Sequence, residues 1–150
     1  MTSHDLESRI TVLEDIEAIK KSHYKYCYEM DKGNWQEVVK LFTKDAKIDF
    51  GDVGKGQGTD DIIKFYKETL PGTFSFLMHC NHNPLVNVQG DKATGEFYLA
   101  MSATHRKENE PLWIAGKYEN EYVKESGEWK VKSMAVKDIY ATPYGGEGWV

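Results

Sequence analysis

The chain has 150 residues, 40% of them hydrophobic and 13% aromatic, with a formal net charge of −5. That length and apolar content suit one domain with a packed core, and the interspersed, mildly acidic charge argues against a nucleic-acid or anionic-membrane surface. Two cysteines make no disulfide framework, no stretch approaches the ~20 apolar residues of a bilayer span, and the start MTSHDLESR lacks the apolar core of a signal peptide. A cytoplasmic protein is expected.

From Leu6 to Met30, the residues Leu13, Ile16, Ile19, His23, Tyr26, Cys27 and Met30 recur at helical spacing. Asp31 falls at the edge of that face. A carboxylate there is either the polar exit of a helix terminated by Gly33, or a paired or functional group. Tyr26 brings a hydroxyl to the core side and needs a buried partner. The segment NWQE, residues 34–37, has the pattern of a capping box opening a short helix through Phe42. AKIDFG then reads as a short strand. Thr59, followed by Asp60 and Asp61, reads as the cap of a third helix running to about Leu70.

After Pro71 the period changes to two. Residues 74–89, 92–105, 112–125 and 128–140 are expected to be strands, joined at Gly90-Asp91, at a charged loop over 106–110 and at Ser126-Gly127. Helices followed by a long antiparallel meander form the α+β pattern. Phe97, Leu99 and Met101 share a face with Leu112, Ile114, Tyr118 and Tyr122; under covering helices, that face either encloses an apolar pocket or fills as a core. Within FLMHCNHNPLV, residues 76–86, strand alternation puts His79 opposite Cys80 and His82, so the triplet cannot converge on one ion. No CxxC or HExxH supplies other ligands, and no metal is expected. His82 and Asn83 precede Pro84, near an expected bend or edge. His79 shares a face with Leu77, either as a satisfied core histidine or as an acid/base group, with Asp31 the natural partner for its ring N–H.

The order helix–helix–strand–helix–four strands now carries a resemblance. The segments IEAIKKSHYKYCYEMDKGNWQEVVKLFTKDAKIDF, LMHCNHNPLV and YENEYVKESGEWKVKSM resemble the SnoaL-like branch of the nuclear transport factor 2-like superfamily. That branch holds scytalone dehydratase, bile acid 7α-dehydratase and hexachlorocyclohexane dehydrochlorinase. The resemblance implies one domain over 1–150, an α+β fold in which three N-terminal-half helices pack on a cone-shaped curved antiparallel sheet around an apolar pocket. It also implies a His–Asp dyad at His79 and Asp31 and a catalytic tyrosine at Tyr26. Three positions depart from the branch. Phe50 stands where scytalone dehydratase has a water-holding tyrosine, Met101 near an acidic residue of the bile acid enzyme, and Met134 at an arginine of the dehydrochlorinase. With Phe97, Ile114 and Tyr118 they form the expected substrate-binding wall. The expected activity is cofactor-independent, dehydratase-type elimination on a mid-sized apolar cyclic alcohol or ketone. A steroid-type isomerase, a polyketide cyclase or a non-catalytic small-molecule-binding protein are the alternatives. No cofactor, metal, nucleic acid or membrane partner is expected. A homo-oligomer is, with a trimer ahead of a dimer.

Overall fold

A 29-residue helix, α1 (Ser3–Asp31), opens the fold in the computed structural model, which describes residues 3–145. Its packing begins only at Asp15. Residues 5–14 are all exposed, and Leu13, expected on the core face, is 63% exposed together with Leu6 and Ile10. From there Ile19, His23, Tyr26, Cys27 and Met30 are buried at the expected spacing. Gly33, at φ +69°, ends the helix: its N–H bonds to Met30 O at 2.9 Å, and that of Asn34 bonds to Glu29 O at 2.9 Å. These two bonds satisfy carbonyls the helix leaves open, and the left-handed residue they require favours glycine.

The short helix α2 (Trp35–Val39) starts on the main-chain carbonyl of Asn34, which accepts from Glu37 and Val38. The expected capping box does not form. The Asn34 amide donates instead to Glu29 at 2.8 Å, and Glu37 pairs with Lys25 and Lys40. Helix α2 also stops short of Phe42, which opens strand β1 (Phe42–Asp49) by pairing with Val131. A strand not expected from sequence, β2 (Lys55–Gln57), pairs with β1 beyond a 3₁₀ turn at Gly51–Val53.

Helix α3 (Gly58–Lys64) runs through a π-helical turn (Phe65–Thr69) into α4 (Leu70–Thr73). Its cap comes from Asp61, whose carboxylate accepts the Gln57 N–H at 3.0 Å, while the Thr59 hydroxyl donates to Lys44 O. The helix passes the expected stop at about Leu70 because the ladder has already widened, with Leu70 N–H bonded to Phe65 O. A proline sits there with no donor to lose.

Strands β3 (Phe74–Gln89), β4 (Lys92–His105), β5 (Glu110–Glu125) and β6 (Glu128–Pro143) form the meander. The sheet order is β2-β1-β6-β5-β4-β3, antiparallel throughout except for the parallel β1–β6 pair. Register shifts in β3–β4 at His82/Leu85 and in β5–β6 at Ala115/Lys117 and Glu121/Tyr122 bend the long strands. Asn83, at φ +51°, lies in the first shift, and β3 is the sheet's edge. The helices cover the inner face of this curved, unclosed sheet.

Polar contacts as well as apolar ones hold α1 on the sheet. The buried Asp15 carboxylate accepts from Trp129 Nε1 at 2.8 Å and meets Lys124 at 2.7 Å, tying the helix to the β5–β6 hairpin. Burial alone would raise the Asp15 pKa, but the bonds from Lys124 and Trp129 and the lysine's charge outweigh it and hold the group below its ordinary value. A carboxyl with a depressed folded pKa contributes stability above its unfolded pKa, near 3.8, and loses it as pH falls through the folded value. Asp15→Ala, which strips the Trp129 N–H of its acceptor, is expected to cost about 1–3 kcal/mol. Urea unfolding at neutral pH checks this, and the deficit against the parent should shrink toward pH 3.

Candidate active site

Asp31 is the last residue of α1, and Gly33 turns the chain away directly after it. There the carboxylate meets the edge of β3. Its two oxygens accept the main-chain N–H of His79 at 3.1 and 3.0 Å, and Oδ1 lies 2.6 Å from His79 Nδ1. An ionised carboxylate only accepts, so Nδ1 carries the ring proton and Nε2 keeps its lone pair. The His79 side chain is 5% exposed and that of Asp31 24%.

His79 lies on the wall of a cavity of about 350 Å³ between helices and sheet. Its floor is a row across the sheet, His79–Met101–Ile114–Ala141, set by strand register. Leu77, Leu99, Phe50, Val136 and Ile139 continue the apolar wall, and Tyr26 and Tyr118 bring hydroxyls to it. Among the described residues that line it there is no lysine or arginine.

Of the residues expected at the site, Tyr26, His79, Phe50, Met101, Ile114 and Tyr118 line this cavity, with Asp31 behind His79. Phe97 and Met134 do not. Phe97 pairs with Tyr118, but its ring lies over Gly95, in space that a side chain there would need, and stacks on His23 with centroids 3.7 Å apart. Met134 is 1% exposed in the layer behind, its sulfur 3.8 Å from the Tyr66 hydroxyl. Cys80 and His82 are exposed on strand β3, and among the described residues no cluster of His, Cys, Asp and Glu could hold a metal ion.

Two residues of the site, and the hydrogen-bond partners of a third, escaped the sequence reading. His105, paired with Glu108, reaches the cavity rim; its parity with Met101 on β4 was the available signal. Tyr66 sits behind Tyr26, with the hydroxyls 3.5 Å apart. His23 is fully buried between two amides, with Asn81 Nδ2 2.6 Å from Nε2 and Asn120 Nδ2 3.3 Å from Nδ1. A neutral imidazole has one N–H and one lone pair, so one of these amides must turn its oxygen to the ring. Both amide oxygens otherwise lack a partner. With Asn120 turned, its oxygen accepts from His23 and from the Tyr122 hydroxyl, while Asn81 donates to His23 and to Cys27. Asn81, two residues beyond His79, thereby fixes the strand of His79 to α1.

Helices covering the inner face of a curved, mostly antiparallel six-stranded sheet, with a cavity between, define the nuclear transport factor 2-like cone fold. Residues 11–135 match the family model of the SnoaL-like domain, and the chain belongs to that family. Among solved structures it is similar to a candidate scytalone dehydratase from Novosphingobium aromaticivorans, at 23% identity and a TM-score of 0.81 over 93% of this chain and 94% of that one. It is also similar to a type-3 hexachlorocyclohexane dehydrochlorinase from Novosphingobium barchaimii, at 20% identity and a TM-score of 0.86 over 95% and 98%. A type-2 form of that dehydrochlorinase gives 21% and 0.87 over 95% and 97%. Among the described residues no helix is long and apolar enough to cross a membrane.

Burial, with the neighbouring His79 as a smaller cause, pushes His23 down to about 3 from the ordinary 6.5. Between those values the unfolded chain binds a proton that the folded chain refuses, so stability falls as pH drops below 6.5. The slope from this residue is about 1.4 kcal/mol per pH unit, flattening only near the folded value. Denaturant unfolding from pH 7 to 4 should show it, and His23→Gln should flatten the curve whatever its cost at neutral pH.

Proposed function

We propose that this chain is a cofactor-independent lyase that removes water from a mid-sized, largely apolar cyclic alcohol or ketone. His79 Nε2 takes a proton from carbon at the cavity wall. Asp31 holds Nδ1–H, fixes the tautomer and stands beside the positive charge the ring then carries. Tyr26 donates to the carbonyl or leaving hydroxyl oxygen as charge develops there. The observation that carries this reading is the His79–Asp31 contact of 2.6 Å on the wall of an apolar cavity of about 350 Å³. The family and the likeness to a candidate scytalone dehydratase and to dehydrochlorinases support elimination as the reaction class. The lining offers no lysine or arginine to a departing halide, which favours loss of water over loss of chloride.

A steroid-type isomerisation is the second reading. Burial and its tyrosine neighbours push the Tyr26 phenol far above its ordinary value, although the bond from Tyr66 works the other way. Such a hydroxyl donates a hydrogen bond readily and gives up its whole proton reluctantly. Both reactions begin with the same proton abstraction.

The test is turnover and solvent deuterium uptake with a panel of hydroxylated and oxo steroids, bile acids and aromatic polyketides. His79→Ala is expected to lower either rate by about 10²–10⁴-fold. Asp31→Asn should also cost strongly, because its amide cannot stabilise the charged ring. Tyr26→Phe should lower turnover more than affinity. Activity that survives His79→Ala in a folded protein would remove the mechanism.

A further inference from the structure

Exposure along the lining locates the mouth of the cavity. Tyr26, Met101, Ile114 and Tyr118 are buried, whereas Asp52, Ile139 and Ala141 are exposed and rim the opening. The turn between β1 and β2 builds one side of that rim. Phe50 N–H bonds to Gly54 O at 2.9 Å, Val53 N–H bonds to Phe50 O at 3.2 Å, and the Asp49 carboxylate accepts the Gly51 N–H at 3.0 Å. Phe50 and Val53 line the cavity from this turn, and Asp52 sits between them on the lip. The charges around it are engaged elsewhere. Lys55 and Lys137 both go to Asp49, at 3.0 and 4.0 Å. Also in the lining, His105 is held by Glu108, which Lys107 meets at 3.8 Å, so charge there is balanced locally. Arg106 turns away to the carbonyls of Pro71 and Phe74. Among the described residues the Asp52 carboxylate has no ion pair or hydrogen bond, and the lining holds no lysine or arginine to balance it.

We propose that Asp52 is a specificity-determining residue, which accepts a hydroxyl, amide or ammonium donor at the trailing end of the substrate and rejects a carboxylate there. The proposal rests on the reading above of this cavity as the substrate site, and it narrows the substrate class. A ring whose reacting carbon meets His79 Nε2 has that end among buried residues, and its opposite end reaches the mouth. Apolar walls beside an unbalanced charge focus its field into the cavity, where water screens it less. A donor at the mouth makes a charge-assisted hydrogen bond to the carboxylate. An anion meets like charge, and no cation in the lining answers it. The substrate is therefore a cyclic alcohol or ketone with a neutral or cationic polar group at its far end, not a carboxylic acid or a phosphate ester.

Two matched sets of cyclic ketones test this, one on a steroid ring system and one on a tetralone. Within each set the end opposite the carbonyl carries an amine, a primary amide or a carboxylate on the same short chain. Calorimetry at low salt should rank affinity for the parent chain as amine, amide, carboxylate, with the last two about fivefold apart. High salt should narrow that gap. Asp52→Asn should bring amide and carboxylate within about twofold, chiefly by strengthening the carboxylate, and Asp52→Lys should reverse the order. Asp60→Asn removes the same charge from the exposed first turn of α3, outside the cavity, and should keep the parent's ranking. Several results overturn the proposal: a carboxylate bound as tightly as the amide by the parent, a gap that persists in a folded Asp52→Asn, or an equal loss of the gap in Asp60→Asn. A parent that binds neither set overturns it too. Deuterium uptake into the bound ketones separates this proposal from the reading it rests on. Selection at Asp52 without His79-dependent uptake removes the lyase and keeps the charge selection. Uptake that needs His79, with no selection at Asp52, does the reverse.

Discussion

One carboxylate takes two donors from one residue, and much of the site depends on it. Strand β3 is the edge of the sheet, where main-chain N–H groups face outward and must be covered or left to water. At His79 that N–H is taken by Asp31, which also holds the ring at 2.6 Å. The same contact therefore covers the edge, seats the end of α1 and orients the imidazole. An Asp31 carboxylate at a helix C-terminus lies against the unfavourable end of the helix dipole. Two N–H donors offset that. The two sequence readings of Asp31, polar helix exit and paired carboxylate, prove to describe one geometry.

The rest of α1 is registered in the same manner. Asp15 reaches Trp129 and Lys124, His23 sits between Asn81 and Asn120, and Asp31 holds His79. These contacts touch β6, β5 and β3 at three heights along one helix. Apolar packing tolerates small slips, because burial is not directional. Buried polar groups do not, since a slip leaves donors and acceptors unpaired at low dielectric. A helix pinned this way can carry the Tyr26 hydroxyl to 3.5 Å from that of Tyr66 and set its ring 6.0 Å from that of Tyr118.

The long strands were legible from their period-two pattern, clearest in β4, where burial alternates from Lys92 to Leu99. The β3 and β4 spans match the periodicity reading residue for residue, and β5 and β6 differ only by added ends. Gly33 worked as read, because a left-handed residue leaves few choices. The misreadings fall where local chemistry has competitors. Asn34 and Thr59 are good caps in isolation, but each finds another partner, Glu29 and Lys44 O. Leu13 keeps the helical period where the helix has nothing to pack against. At the site, parity put Tyr26 and Asp31 toward the core side of their helix and His79 beside Leu77, and the family resemblance made them candidate site residues; parity itself says only which face a residue is on. Depth along the strand depends on register, and register separates Met101, on the cavity floor, from Phe97, folded onto His23. Tyr66 and Asn120 depend on contacts 40 and 97 residues away in sequence, which no local pattern carries.

An apolar cavity and an ionised carboxylate make opposite demands on water. The first keeps charge interactions strong by excluding it; the second is costly to desolvate. The His79–Asp31 pair meets both demands by straddling a wall. His79 faces the cavity, whereas Asp31 lines a separate groove of about 290 Å³ with Lys32, Trp35 and Arg106, and Leu70, Phe74 and Leu77 stand between the two. Arg106 holds that wall in place through the carbonyls of Pro71 and Phe74. Water can therefore hydrate the carboxylate from the groove while the imidazole remains in an apolar surface. Filling the groove would leave the His79 contacts intact yet take away the water that reaches the carboxylate. The solvent access of one partner is as much a part of the arrangement as the burial of the other.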